Sequence, residues 1–179
     1  MSYKYSTGSI RRGDIYYEDD RLGAKTYIDF GQDVITLRPS GSQILHAQAD
    51  AVGIGTTSPG STFQTSGSVG FNVTSFTANA NINITHHTCI VDCGPGGANG
   101  SVTLTLPTAT NAISGRTYIF KRADTGGSAP FSALMTVDRN GKAIDGATNN
   151  LTLGNGDCYT ILCVNGTAGW IVVSHYVPI

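Results

Sequence analysis

Apolar side chains in this chain alternate with polar ones in short runs, and each run is cut off by Gly, Pro, Asn or Asp. That period of two is the signature of half-buried β-strands. No segment holds apolar residues at helical spacing over about twelve residues, so the chain offers no long amphipathic helix. Composition points the same way. One glutamate, Glu18, and four lysines among 179 residues leave few of the usual surface residues of soluble helices. Gly, with 23 residues, and Thr, Ser and Asn take their place. These favour turns, strands and local side-chain-to-backbone bonds. The expected fold class is all-β.

Charged residues make up 13% of the chain, about half the usual share. A surface so poor in charge suggests burial against other subunits. A net charge of -1 and a pI near 6.4 give no general attraction to nucleic acid or anionic lipid. No stretch approaches the roughly 18 consecutive apolar residues of a membrane span. Residues 1–6 carry no apolar leader segment. Neither nucleic-acid binding nor membrane insertion is therefore expected.

The pattern divides the chain after residue 66. In the first part, strands are predicted at 14–17, 27–30, 34–37 and 43–47, too short and sparse for a good core in one chain. Winding three chains about a common axis would bury each apolar face against its neighbours. The glycine-rich segment 52–60 reads as a turn and boundary. The second part, 67–179, is denser. Strands are predicted at 68–72, 86–92, 101–106, 116–122, 134–138, 150–153, 157–164 and 170–176. Asn140-Gly141, Asp145-Gly146 and Asn165-Gly166 give hairpin signals between them. About eight strands over this length predict a β-sandwich, jelly-roll-like. The last two strands are expected to face each other across 165–169, with Tyr159, Ile161 and Cys163 on one face.

Two stretches resemble phage fibre and virion proteins. One is Thr26-Tyr27-Ile28-Asp29-Phe30, followed by Val34-Ile35-Thr36-Leu37 and then Val52-Gly53-Ile54-Gly55-Thr56-Thr57-Ser58-Pro59. This order is similar to the repeated stem units of tail-fibre and virion structural proteins of cyanophages and related marine phages. The other begins at Val102-Thr103-Leu104-Thr105-Leu106-Pro107 and Gly115-Arg116-Thr117-Tyr118-Ile119-Phe120-Lys121-Arg122. It continues through Ile144-Asp145-Gly146, Leu151-Thr152-Leu153 and Tyr159-Thr160-Ile161-Leu162 to Trp170-Ile171-Val172-Val173. It resembles the C-terminal β knob that ends many phage fibres. The resemblance implies a homotrimer: a short β stem or N-terminal arm, 1–66, followed by a β-sandwich knob, 67–179. One stem unit leading directly into one knob is short for a receptor-binding fibre, which favours a compact projection.

Chemistry-bearing residues are few. His87, Cys89 and Cys93 share one strand face and are the best metal candidates, but Cys-x-x-x-Cys on a strand spreads its sulfurs. Small core hydrophobes flanked by histidines are the plainer reading. Disulfides Cys89–Cys163 or Cys93–Cys158 are conceivable if those strands pair; a reducing cytoplasm favours free thiols. Arg12-Gly13-Asp14 spells an adhesion tripeptide that chance alone produces often. The sequons at Asn72, Asn83, Asn99, Asn150 and Asn165 follow from composition. Tyr16, Tyr17, Tyr118, Phe131 and Trp170 could stack on a sugar, against burial in the knob core. Asp138 with Asp145 could serve as a carboxylate pair only in a cleft that nothing here predicts.

The sequence therefore reads as a structural, non-enzymatic virion surface protein, assembled in the host cytoplasm and needing no cofactor or metal. Arg11, Arg12, Asp14, Glu18, Asp19 and Asp20 are the candidate virion-docking residues, suited to a polar anchoring contact with a major capsid protein. A capsid decoration or cement role leads. The alternative is a short tail fibre or tail-tip adhesin, attached to tail proteins and recognising a host surface glycan or protein. Its recognition would lie on loops 94–100, 124–130 and 139–149.

Overall fold

Hairpin dipeptides set the chain reversals through backbone conformation. Asp145 and Gly146 both have positive φ, 49° and 74°, and they turn the chain between Ile144 and Ala147, which pair across them. Asp tolerates this region through its short polar side chain, and Gly has no Cβ to oppose it. Asn165-Gly166 works differently. The Asn165 side-chain oxygen accepts the N–H of Thr167 at 2.8 Å and of Ala168 at 2.7 Å. The positive φ, 78°, falls on Gly169 instead.

A computed structural model describes residues 26–127, 130 and 132–178, with the backbone of 15–16. It is all-β and contains two compact units, one up to Gly70 and one from Phe71 onward. No helix among the described residues is long and apolar enough to cross a membrane.

The first unit is one sheet whose six strands lie in chain order: β1 (Ile15–Tyr16), β2 (Tyr27–Gly31), β3 (Val34–Arg38), β4 (Leu45–Gln48), β5 (Ala51–Ile54) and β6 (Phe63–Thr65). Neighbours are antiparallel up to β5; β5 and β6 are parallel. The turn expected over 52–60 therefore needs correction. Residues 52–54 belong to a strand, and the chain turns from Gly55, where φ is 71°. Val52 and Ile54 alternate around Gly53, and that period of two outweighs the turn preference of a single glycine.

The second unit has two sheets over one core. The five-stranded sheet runs β15-β14-β11-β9-β7, and the four-stranded sheet runs β13-β12-β10-β8. The strands are β7 (Val73–Phe76), β8 (Ala80–Asn81), β9 (Thr88–Val91), β10 (Val102–Thr105), β11 (Thr117–Arg122), β12 (Met135–Asp138), β13 (Leu151–Leu153), β14 (Cys158–Asn165) and β15 (Gly169–Tyr176). The strand predicted at 68–72 is irregular chain, and pairing begins at Val73. Val73 opposes Thr88 on β9, so the register with β9 decides where β7 starts.

A β-sandwich is present, but its winding corrects the jelly-roll expectation. From β7 to β12 the chain passes alternately between the two sheets. Same-sheet neighbours β7 and β9, β9 and β11, β8 and β10, and β10 and β12 are consequently parallel. Each is joined by a crossover through the opposite layer, the kind of link parallel strands require. Only β13, β14 and β15 add antiparallel pairs. The inward positions interdigitate: Cys89, Val91, Tyr118, Phe120, Ile161 and Trp170 from one sheet meet Val102, Leu104, Met135, Val137 and Leu153 from the other. Tyr118 stands 5.7 Å from Trp170 between ring centres.

Candidate assembly surface

Cross-strand register sorts the first unit into two unlike faces. Ile28, Leu37, Leu45 and Ile54 stand side by side across β2 to β5. Ile35, Ala47, Val52 and Phe63 form the adjoining rank across β3 to β6. Both ranks share one face, because directly paired residues point the same way and residues two apart along a strand do too. No ionisable side chain lies in either rank.

This face is open in the single chain. Ile35 is 44% exposed, Leu37 37% and Phe63 60%. The opposite face carries the rank Asp29, Thr36, His46, Gly53 and Gln64. The best-buried side chains are on that polar side: Thr36 and His46 are buried, with Ala51 beside them. Thr36 donates to Asp29 at 3.4 Å, and His46 Nε2 lies 3.2 Å from Gln48 Oε1. Among the described residues of this unit no apolar side chain larger than alanine is buried. Fully burying one such side chain is worth about 1.5–3 kcal/mol, and a lone chain leaves most of that unrealised.

The second unit holds its own core and ties down its loops. Arg122 and Asp124 form a bidentate pair, with bonds of 3.0 Å and 2.7 Å and almost no side-chain exposure. The same guanidinium donates to the carbonyls of Ala133 and Leu153, which lie at the other sheet. Asp92 accepts the N–H of Gly94 at 2.8 Å, the N–H of Thr125 at 3.0 Å and the Thr125 hydroxyl. Those Thr125 bonds, then the Gly94 bond, hold its carboxyl below the ordinary carboxylate range. Loop 94–100 and residues 124–127 of loop 124–130, two of the three expected recognition loops, are thus stapled to each other.

The sequence candidates scatter. Arg11, Arg12, Asp14, Glu18, Asp19 and Asp20 lie outside the described residues, as do Tyr17 and Phe131. Tyr118 and Trp170 are fully buried and present no stacking surface. All four cysteines are free. Burial pushes the Cys89 thiol up to about 12 and raises those of Cys93 and Cys163, so the three stay protonated and are poor metal ligands. His87 stacks on Phe71 with ring centres 4.1 Å apart. No group of three or more metal-ligating side chains gathers among the described residues. Asp138 accepts the N–H of Asn140 in its own turn, and Asp145 accepts that of Val172 on β15, so each carboxylate is engaged in holding backbone.

One further feature escaped the sequence reading. Asn79, Ala80, Asn81, Thr103 and Thr105 line an uncharged groove of about 350 Å³ at the β8 edge of the four-stranded sheet. Its only sequence trace is the alternation of Asn79-Ala80-Asn81 beside Thr103-Leu104-Thr105. No family model and no curated protein sequence matches the chain.

Proposed function

We propose that this chain is a homotrimeric structural protein of a phage virion surface, in the first place a capsid decoration or cement protein. The observation that carries the reading is the open, uncharged face of the first unit. A sheet with one apolar face and no core must cover that face to be stable, and copies of itself are the partner always at hand. The order of the segments 26–37 and 52–59, similar to phage stem units, supplies the virion setting and the threefold arrangement. The second unit, with a complete core and stapled loops, then serves as the displayed knob. Docking on a major capsid protein through Arg11, Arg12, Asp14, Glu18, Asp19 and Asp20 completes the proposal.

The Asn/Thr groove favours a second reading, a short tail fibre or tail-tip adhesin. Amide and hydroxyl groups without charge suit a host surface glycan, whose hydroxyls both donate and accept.

The deciding measurement is the number of copies per purified virion, by quantitative mass spectrometry. Icosahedral shells and tails impose very different multiplicities. Roughly a hundred copies or more support decoration, and a few tens or fewer support the tail reading. Absence from purified particles ends both.

A further inference from the structure

The outer faces of the two sheets in the second unit are chemically opposite. Outward positions of the four-stranded sheet are Asn81, Thr103, Thr105, Thr136, Asp138 and Thr152, in register across β8, β10, β12 and β13. This is the polar surface expected of a solvated sheet. Outward positions of the five-stranded sheet include Val73, Ile90, Ile119, Leu162 and Ile171, one from each strand, interspersed with Thr88, Thr117 and Thr160. A bulge between Thr160 and Ile161 leaves Val173 as an extra residue on β15. Val73 is 57% exposed, Val173 58%, Ile171 37% and Tyr176 60%. The single ionisable group reaching this face from β11 is Lys121. Its ammonium is engaged by the Gly156 carbonyl and lies 5.8 Å from the centre of the Tyr176 ring.

We infer that the outer face of the five-stranded sheet is a second contact between copies of this chain, with the Thr-rich face and its groove turned away from that contact. The inference rests on the homotrimer reading and adds which side of the knob faces the neighbouring copies. Two physical arguments select a copy of the chain as the occupant. The apolar side chains leave on the order of 500 Å² uncovered, near the top of what a monomer tolerates. With the flanking threonines and Ser75 the face extends across all five strands, the kind of broad surface on which a stable interface of roughly 800 Å² per partner is built. Charge supplies the other argument. A face whose one cation is internally engaged meets its own copy without like-charge repulsion, whereas a charged partner would find no counter-ion on it. Permanent homo-oligomer contacts are the class with such apolar, charge-depleted centres.

The test uses the full chain and sedimentation over a range of concentrations. Ile171→Glu with Val173→Glu, both at exposed positions, is expected to raise the trimer dissociation constant at least ten-fold. Thr103→Glu with Thr152→Glu, on the opposite face, is expected to leave it unchanged. Trp170 fluorescence checks that each variant is folded. Hydroxyl-radical footprinting of the unaltered chain gives an independent reading. Ile171, Val173 and Tyr176 should be protected relative to Leu134, which is 45% exposed and precedes β12. A trimer whose affinity ignores the Ile171/Val173 change, or whose Tyr176, corrected for the higher intrinsic reactivity of tyrosine, is no better protected than Leu134, overturns this inference and leaves the homotrimer reading standing. A monomeric unaltered chain overturns both.

Discussion

Arg122 shows how a single charge can close a sandwich. It sits 4% exposed and reaches from the five-stranded sheet to the carbonyls of Ala133 and Leu153. Its partner Asp124 also accepts the N–H of Cys93. Arg122→Ala would strand a buried carboxylate and two carbonyls, so a loss of about 3–5 kcal/mol is expected in urea unfolding of the second unit. Replacing Arg122 and Asp124 together by Met and Leu should cost much less, because no buried charge is left unpaired. Asp92 gives the pH dependence. Its carboxyl is depressed in the folded chain, chiefly by Thr125. Its stabilisation is therefore complete above the ordinary value of 3.8 and is lost as pH falls through the lower folded value. Hydrogen exchange should show the 94–100 loop loosening below about pH 4, and Asp92→Asn should weaken that acid step. The thiols follow burial. Cys158, the half-buried one, should react with a maleimide before Cys89, Cys93 and Cys163, as peptide mass mapping would show.

Most strands were legible in the sequence because side-chain alternation is a local property, but β5, β6 and β8 were not. Ile161 and Cys163 point inward as the alternation in β14 requires, and the β14–β15 hairpin closes where Asn165-Gly166 signals it. The losses came where a non-local choice decides. Strand β7 begins at Val73 because β9 sets its register; nothing within 68–76 distinguishes the two starts. The parallel winding is also invisible, since a period of two says nothing about the direction of the neighbouring strand. The groove depends on β8 lying beside β10, and two residues are too few to signal a strand. Strand β5 was hidden by Gly53, and the structure shows why that position excludes a side chain. A Cβ there would come within 2.5 Å of the Thr56 carbonyl oxygen. Gly53→Ala should force β5 away from the 55–57 turn at a cost of about 1–3 kcal/mol. The amide of Gly55, bonded to the Ile44 carbonyl at 2.8 Å, should then exchange faster. Unchanged protection there would remove this account of the glycine.

At the scale of the molecule the two units differ in what keeps them folded. The second unit buries Trp170, Tyr118, Phe120 and fifteen smaller apolar side chains in its own core. The first buries no apolar side chain larger than alanine among the described residues and turns Ile35, Leu37 and Phe63 outward. If copies cover that face, its folding free energy contains an association term, and association is concentration-dependent whereas a private core is not. Calorimetry of the full chain should therefore resolve two transitions. For a trimer, ten-fold dilution removes about 0.9 kcal/mol per chain, so the first unit's transition should fall by roughly 4–8 °C. The second unit's transition should move less, because its core persists when the knob contact is lost. Phe63→Glu places a charge on the β6 side of an uncharged contact, where its desolvation has no compensating partner. That variant should sediment as a monomer and lose the first transition while keeping the second. A first transition that ignores both dilution and Phe63→Glu would mean that the apolar face is covered within one chain, and the homotrimer reading would have to be given up.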